Sequence, residues 1–125
     1  MDAKFKGRWI LIVEDEPLVA LDILNSLTNA GASVLSAATL QEGLRLAEHP
    51  QLSAAILDLA LGEHDCVPLC IRLSDRRIPF VIYTGYPEVP AACRAGVIIS
   101  KPAAPTLCLA PLRRCSGVDN DLCRS

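Results

Sequence analysis

At 125 residues the chain is long enough for one domain, which can bury roughly two-thirds of its unfolded surface. Hydrophobic residues at 51% against charged residues at 21% exclude a disordered chain, and 12 basic against 14 acidic side chains (net −2) lack the basic excess of a nucleic-acid-binding surface. No apolar run approaches the roughly 20 residues of a membrane span, and Trp9–Val13 stops at Glu14, too short for a secretory signal. The expectation is a soluble cytoplasmic domain with no direct contact to membrane or nucleic acid.

Five short apolar runs, Trp9–Val13, Ala32–Leu35, Ala54–Leu57, Phe80–Tyr83 and Val97–Ile99, have the length of buried strands. Helical patterns lie between them. Pro17 can open the first, where its missing N–H does no harm; Val19, Ile23, Leu27 and Ala30 then make one apolar stripe, and Gly31 can close it. Thr39 and Glu42 have capping-box spacing and begin the second, with Leu40, Gly43, Leu44 and Ala47 on one face. A weaker third segment runs over residues 67–73. Strands alternating with helices predict an α/β fold: a doubly wound parallel sheet covered on both faces, with right-handed crossovers.

Ligands of such a sheet bind beyond the carboxyl ends of its strands, so the residue after each run is the one to inspect. Glu14 and Asp15 follow the first run, Asp58 the third, Thr84 the fourth, and Lys101 with Pro102 the fifth. Gathered at one edge, three carboxylates repel one another and raise each other's pKa unless a cation joins them. Oxygen ligands of this kind suit Mg²⁺ completed by phosphate oxygens, so the residues describe a Mg²⁺-dependent phosphoryl site with one aspartate as nucleophile.

The stretches Ile10-Leu-Ile-Val-Glu-Asp-Glu-Pro17, Ile56-Leu-Asp-Leu59, Tyr83-Thr-Gly85 and Ser100-Lys-Pro102 resemble the receiver domain of bacterial two-component response regulators, of the chemotaxis-regulator-like, single-domain kind. The resemblance covers about residues 8–102. It implies a five-stranded, flavodoxin-like sheet of order 2-1-3-4-5. It also implies that Asp58 accepts a phosphoryl group from a sensor histidine kinase or histidine phosphotransferase. Mg²⁺ would be held by Glu14, Asp15, Asp58 and the backbone carbonyl of Ala60, with Glu14 acting mainly through bound water. Thr84 would hydrogen-bond a phosphoryl oxygen and Lys101 would pair with Asp58 and then the phosphate, across a cis Lys101–Pro102 peptide. Such a domain is no enzyme toward other substrates; it catalyses only its own phosphorylation and dephosphorylation.

Departures from the family pattern carry their own expectations. Ile98 stands where the family has a switch aromatic, so the response should centre on Gly85–Pro90, with Tyr86 as the nearby aromatic. Pro87 and Pro90 crowd a shortened interval between Thr84 and Lys101, so the fourth helix should be short, distorted or absent. Pro105 can start a fifth helix that Pro111 should break about a turn later, leaving it irregular. With two elements of the usual dimer face altered, the expected state is a monomer or weak dimer. The domain should span residues 8–114, with 115–125 a disordered tail, and should signal by protein contact. The chain reads either as a standalone regulator or as part of a larger regulator or hybrid kinase.

Two other readings compete. An aspartyl-phosphate phosphatase would carry a second aspartate two residues after Asp58, where this chain has Ala60. A pseudo-receiver, working as a binding module without phosphorylation, is the alternative that the missing aromatic leaves open. His64, in the loop after Asp58, reads as an exposed loop residue. Six cysteines include no C-x-x-C pair of the kind a zinc site needs. Cys66, Cys70 and Cys93 therefore read as small buried hydrophobes, and Cys115 and Cys123 as free thiols.

Overall fold

The computed structural model describes residues 5–101 and 104–115. β1 (Trp9–Val13) leads to α1 (Pro17–Asn29), which Pro17 opens at the first helical position. Ile23 and Leu27 bury the inner stripe of α1, each contributing about 1.5–3 kcal/mol by leaving water. The helix ends at Ala30, and Gly31 follows with φ 94°, a left-handed position suited to glycine. β2 (Ser33–Ala37) precedes α2 (Leu40–Leu46), whose N-cap Thr39 accepts the Glu42 N–H at 3.2 Å. The hydroxyl thus satisfies one of the donors that a helix start leaves unpaired. Thr39→Ala should lower stability by about 1 kcal/mol, measured by urea unfolding, whereas an unchanged midpoint would show that the cap carries no weight.

β3 (Leu52–Asp58) ends at the acid of interest and is followed by a small antiparallel hairpin, β4 (Ala60–Leu61) with β5 (His64–Asp65). α3 (Val67–Asp75), β6 (Phe80–Thr84), a 3₁₀ turn at Ala91–Ala95 and β7 (Val97–Ser100) complete the core order. A second 3₁₀ turn, Pro105–Cys108, then runs into α4 (Leu109–Cys115).

The main sheet is all parallel with order β2-β1-β3-β6-β7, the spatial order 2-1-3-4-5 expected from the sequence. Alternation along the strands sorts the core into two layers. Ile10, Ile12, Ile56, Val81 and Tyr83 face α1 and the C-terminal helical segment, packing with Ile23, Leu27 and Leu112. Leu11, Val13, Leu57, Phe80 and Ile82 face the other way, onto Leu69, Leu73 and Cys93. This strict alternation on both faces explains why the strands read as continuous apolar runs.

A single 3₁₀ turn stands where a fourth helix would be, in line with the two prolines before it. The fifth helix is irregular, but its cause differs from the sequence expectation. Pro111 does not break it, because α4 starts at Leu109 and places Pro111 in the first turn, where backbone N–H groups have no intrahelical partner anyway. His64 is exposed as expected, though in a hairpin rather than a loop. Phe5, N-terminal to the expected domain start, is buried in the α1 layer, and its N–H donates to Ala30 O at 2.9 Å. The Lys101–Pro102 peptide and residues 116–125 lie outside the described residues, as do the expectations made for them. Among the described residues no helix is long and apolar enough to cross a membrane.

Candidate functional site

The carboxyl ends of β1, β3, β6 and β7 bring Glu14, Asp58, Thr84 and Lys101 to one edge of the sheet. Glu14 follows β1 directly, and its N–H donates to Ala37 O at 3.0 Å, which fixes it over the β1–β2 seam. Asp58 is the last residue of β3, paired in register with Tyr83. Thr84 closes β6 with no solvent exposure. Its carbonyl accepts the Lys101 N–H at 2.7 Å, tying the strand end of β6 to the residue that follows β7.

Lys101 Nζ is the hub. It lies 3.1 Å from Glu16 Oε1, 3.3 Å from Glu14 Oε1 and 3.4 Å from Asp58 Oδ2, and 5.0 Å from the centroid of the Tyr83 ring. Burial works against the charge of this ammonium, but Glu16, Asp58 and Glu14 outweigh it and hold the lysine above its ordinary range. Glu14 is 4% exposed and its Oε2 has no hydrogen-bond partner among the described residues. Burial, with the facing Asp58 next, pushes its carboxyl up to about 8 despite the lysine. A buried carboxylate oxygen with an unmet lone pair favours a proton or a cation.

The other expected residues line the rim. Asp15 is exposed, and its Oδ2 accepts the Gly62 N–H at 3.1 Å, so it clasps the β4–β5 hairpin. Ala60 is half-buried and its N–H donates to Asp58 Oδ1 at 3.3 Å. Thr84 Oγ1 accepts the Tyr86 N–H at 3.0 Å, which folds the start of the β6–β7 connection over the site while the Tyr86 ring remains exposed.

One residue escaped the sequence reading. Glu16, the residue before α1, makes the shortest contact to Lys101 and gathers with Glu14 and Asp58, one ligand atom from each within 4.8 Å of the others. Its only signal was the run of three consecutive acids from Glu14 to Glu16. Three carboxylates around a single ammonium leave an excess of negative charge. Hard oxygen donors with one unmet buried lone pair suit a small divalent cation such as Mg²⁺.

Comparison with known proteins agrees with this geometry. The family model described as "response regulator receiver domain" matches residues 10–110. A stretch of 83 residues is 34% identical to the phyllosphere-induced regulator PhyR of Methylorubrum extorquens, covering 63% of this chain and 31% of that protein. Thus the chain spans about a third of that relative's length. A CheY-like response regulator receiver domain protein from Methanospirillum hungatei superposes with a TM-score of 0.74 at 26% identity, over 86% of this chain and 91% of that one. The non-phosphorylated HemR receiver domain of Leptospira biflexa has the same fold, with a TM-score of 0.77 at 23% identity over 90% and 96% of the two chains. Receiver domains generally act as signalling modules and not as enzymes toward other substrates. The chain belongs to the response regulator receiver domain family.

Proposed function

We propose that this domain accepts a phosphoryl group on Asp58 from the phosphohistidine of a sensor histidine kinase or histidine phosphotransferase. The observation that carries the reading is Lys101 Nζ, held at once by Glu14, Glu16 and Asp58. An Asp58 carboxylate oxygen forms the new P–O bond as the P–N bond to the donor histidine breaks, and the departing imidazole takes up a proton. Lys101 stays beside Asp58 to meet charge on the transferred group. Thr84 accepts from Tyr86 N–H, leaving its own hydroxyl hydrogen to donate to a phosphoryl oxygen. Preorganised donors of this kind are the main source of stabilisation in phosphoryl transfer.

Mg²⁺ would be held by Glu14, Asp15 and Asp58 with the Ala60 carbonyl, and when bound would neutralise the carboxylates and the phosphoryl oxygens. The unmet Glu14 Oε2 supports that fit. The reading places the domain in the cytoplasm, spanning residues 8–114. Its output is protein contact near Gly85–Pro90, since Ile98 at the edge of the sheet has no ring to report the phosphorylated state.

The test is incubation with acetyl phosphate and Mg²⁺ followed by intact-mass measurement. The wild type should gain one phosphoryl mass, and chelating the metal should suppress it. Asp58→Asn should abolish the gain, because an amide is not a nucleophile at this pH. Labelling that persists in Asp58→Asn would place the acceptor elsewhere, and a wild type that never labels would make the domain a pseudo-receiver.

A further inference from the structure

On the opposite face of the sheet from α1, three thiols converge that no local sequence pattern links. Cys66 immediately precedes α3, Cys70 lies one turn into it, and Cys93 sits in the 3₁₀ turn Ala91–Ala95. Cys66 Sγ is 3.7 Å from Cys70 Sγ and 3.9 Å from Cys93 Sγ, and all three sulfurs lie within 4.8 Å of one another. Each of the three residues is fully buried with a free thiol.

The spacing is that of a coordination triangle. A point equidistant from three sulfurs so placed is roughly 2.1–2.5 Å from each, bracketing the metal–thiolate bond of about 2.3 Å. A structural zinc site takes four ligands, and no fourth His, Cys, Asp or Glu ligand atom joins the cluster among the described residues. Soft thiolates without a fourth partner favour a soft monovalent ion that is content with three ligands. The electrostatics are compatible. Hydrogen bonding from Cys70 holds the Cys66 thiol below its ordinary range, whereas the same contact raises Cys70, and burial pushes Cys93 up to about 11.

We propose that Cys66, Cys70 and Cys93 form a trigonal three-sulfur site for copper(I). The ion enters as Cu(I), so no electron is transferred, and protons displaced from the thiols pass to solvent. Entry needs only local opening of the single 3₁₀ turn carrying Cys93, which is held at its ends by Cys93 N–H to Pro90 O at 2.9 Å and Gly96 N–H to Cys93 O at 3.2 Å. The bound ion would fasten that turn to α3. Because Cys66 N–H donates to Leu59 O at 2.9 Å, the staple also reaches the residue next to Asp58. In this chain the metal would supply a cross-link where the family's fourth helix is reduced to one turn.

The experiment titrates the reduced full chain anaerobically with Cu(I) against bicinchoninate and reads the metal shell by X-ray absorption. The expected result is one ion per chain with three sulfurs at about 2.3 Å. Cys93→Ala should weaken binding at least about tenfold and leave at most two sulfurs in the shell, and Cys70→Ala should do the same. The double variant Cys115→Ser/Cys123→Ser should match the wild type. A wild type that yields all its copper to the chelator overturns the proposal, as does a two-sulfur shell. So does a folded Cys93→Ala or Cys70→Ala that binds as the wild type does, or binding lost in the tail double variant. Should either alanine variant fail to fold, the wild-type stoichiometry and sulfur count decide alone.

Discussion

Gly96→Ala is expected to lower the melting temperature by about 5–15 °C, as overpacking that costs roughly 1–3 kcal/mol or more would do in a domain of this size. The backbone at Gly96, φ −90° and ψ 174°, suits any residue, so the cost is steric alone. A Cβ there would meet Phe80 Cδ2 at 2.5 Å, Cε2 at 2.6 Å and, less forgivingly, Phe80 O at 2.6 Å. The ring is buried in the core and the carbonyl belongs to β6, so neither can step aside without moving the sheet edge. The consequence reaches the site. β7 begins at the next residue and pairs Val97 with Val81 and Ser100 with Thr84, immediately before Lys101. Displacing the start of β7 should therefore also slow phosphorylation by acetyl phosphate, through a misplaced Lys101. Differential scanning calorimetry and the mass assay read the two effects. A melting temperature within about 2 °C of the wild type would show that the seam between β6 and the 3₁₀ turn is looser than drawn.

That seam also shows what the sequence can and cannot disclose. The central strands β1, β3 and β6 were legible because they are buried on both faces, so Ile10–Val13 and Val81–Tyr83 read as unbroken apolar runs of strand length. Site residues at strand ends were legible for a related reason: an acid, hydroxyl or ammonium directly after such a run must emerge at the carboxyl edge, as Glu14, Asp58, Thr84 and Lys101 do. Residues set by tertiary contacts left weaker traces. Glu16 adjoins two other acids and precedes a helix, so nothing local distinguishes a capping carboxylate from a partner of Lys101. The β4–β5 hairpin turns on Gly62 at φ 64°, a signal that was present but attached to strands of two residues. α3 ends without the usual glycine, since Arg77 takes a left-handed φ of 58° after it, and its end at Asp75 lies beyond the segment that the pattern suggested. The thiol cluster was invisible because Cys93 reaches Cys66 and Cys70 only through the packing of a 3₁₀ turn on α3.

Glu14→Gln should act in the opposite sense to Gly96→Ala and stabilise the metal-free protein at alkaline pH. The Glu14 carboxyl is raised from 4.5 to about 8 in the folded state, chiefly by burial and then by Asp58. Between those values the native chain binds a proton that the unfolded chain has released, so stability must fall as pH rises. The contribution is fully present below about pH 4.5 and is lost as pH climbs through 8, with a limiting slope of about 1.4 kcal/mol per pH unit. Glutamine cannot ionise, and its amide removes the charge whose Oε2 has no partner. Guanidinium unfolding in EDTA should then find the variant close to wild type at pH 5 and about 1–3 kcal/mol more stable at pH 8.5. Excess Mg²⁺ should reverse the order at pH 8.5, because a cation meets the wild-type carboxylate and finds no charge on the amide. A wild type whose stability is flat from pH 5 to 8.5, or a variant that is the weaker of the two in EDTA at pH 8.5, would sink the idea. In the expected case the buried Glu14 carboxylate is a charge held at a cost without a cation, and the cation that relieves it would be the one that the proposed phosphoryl transfer to Asp58 uses.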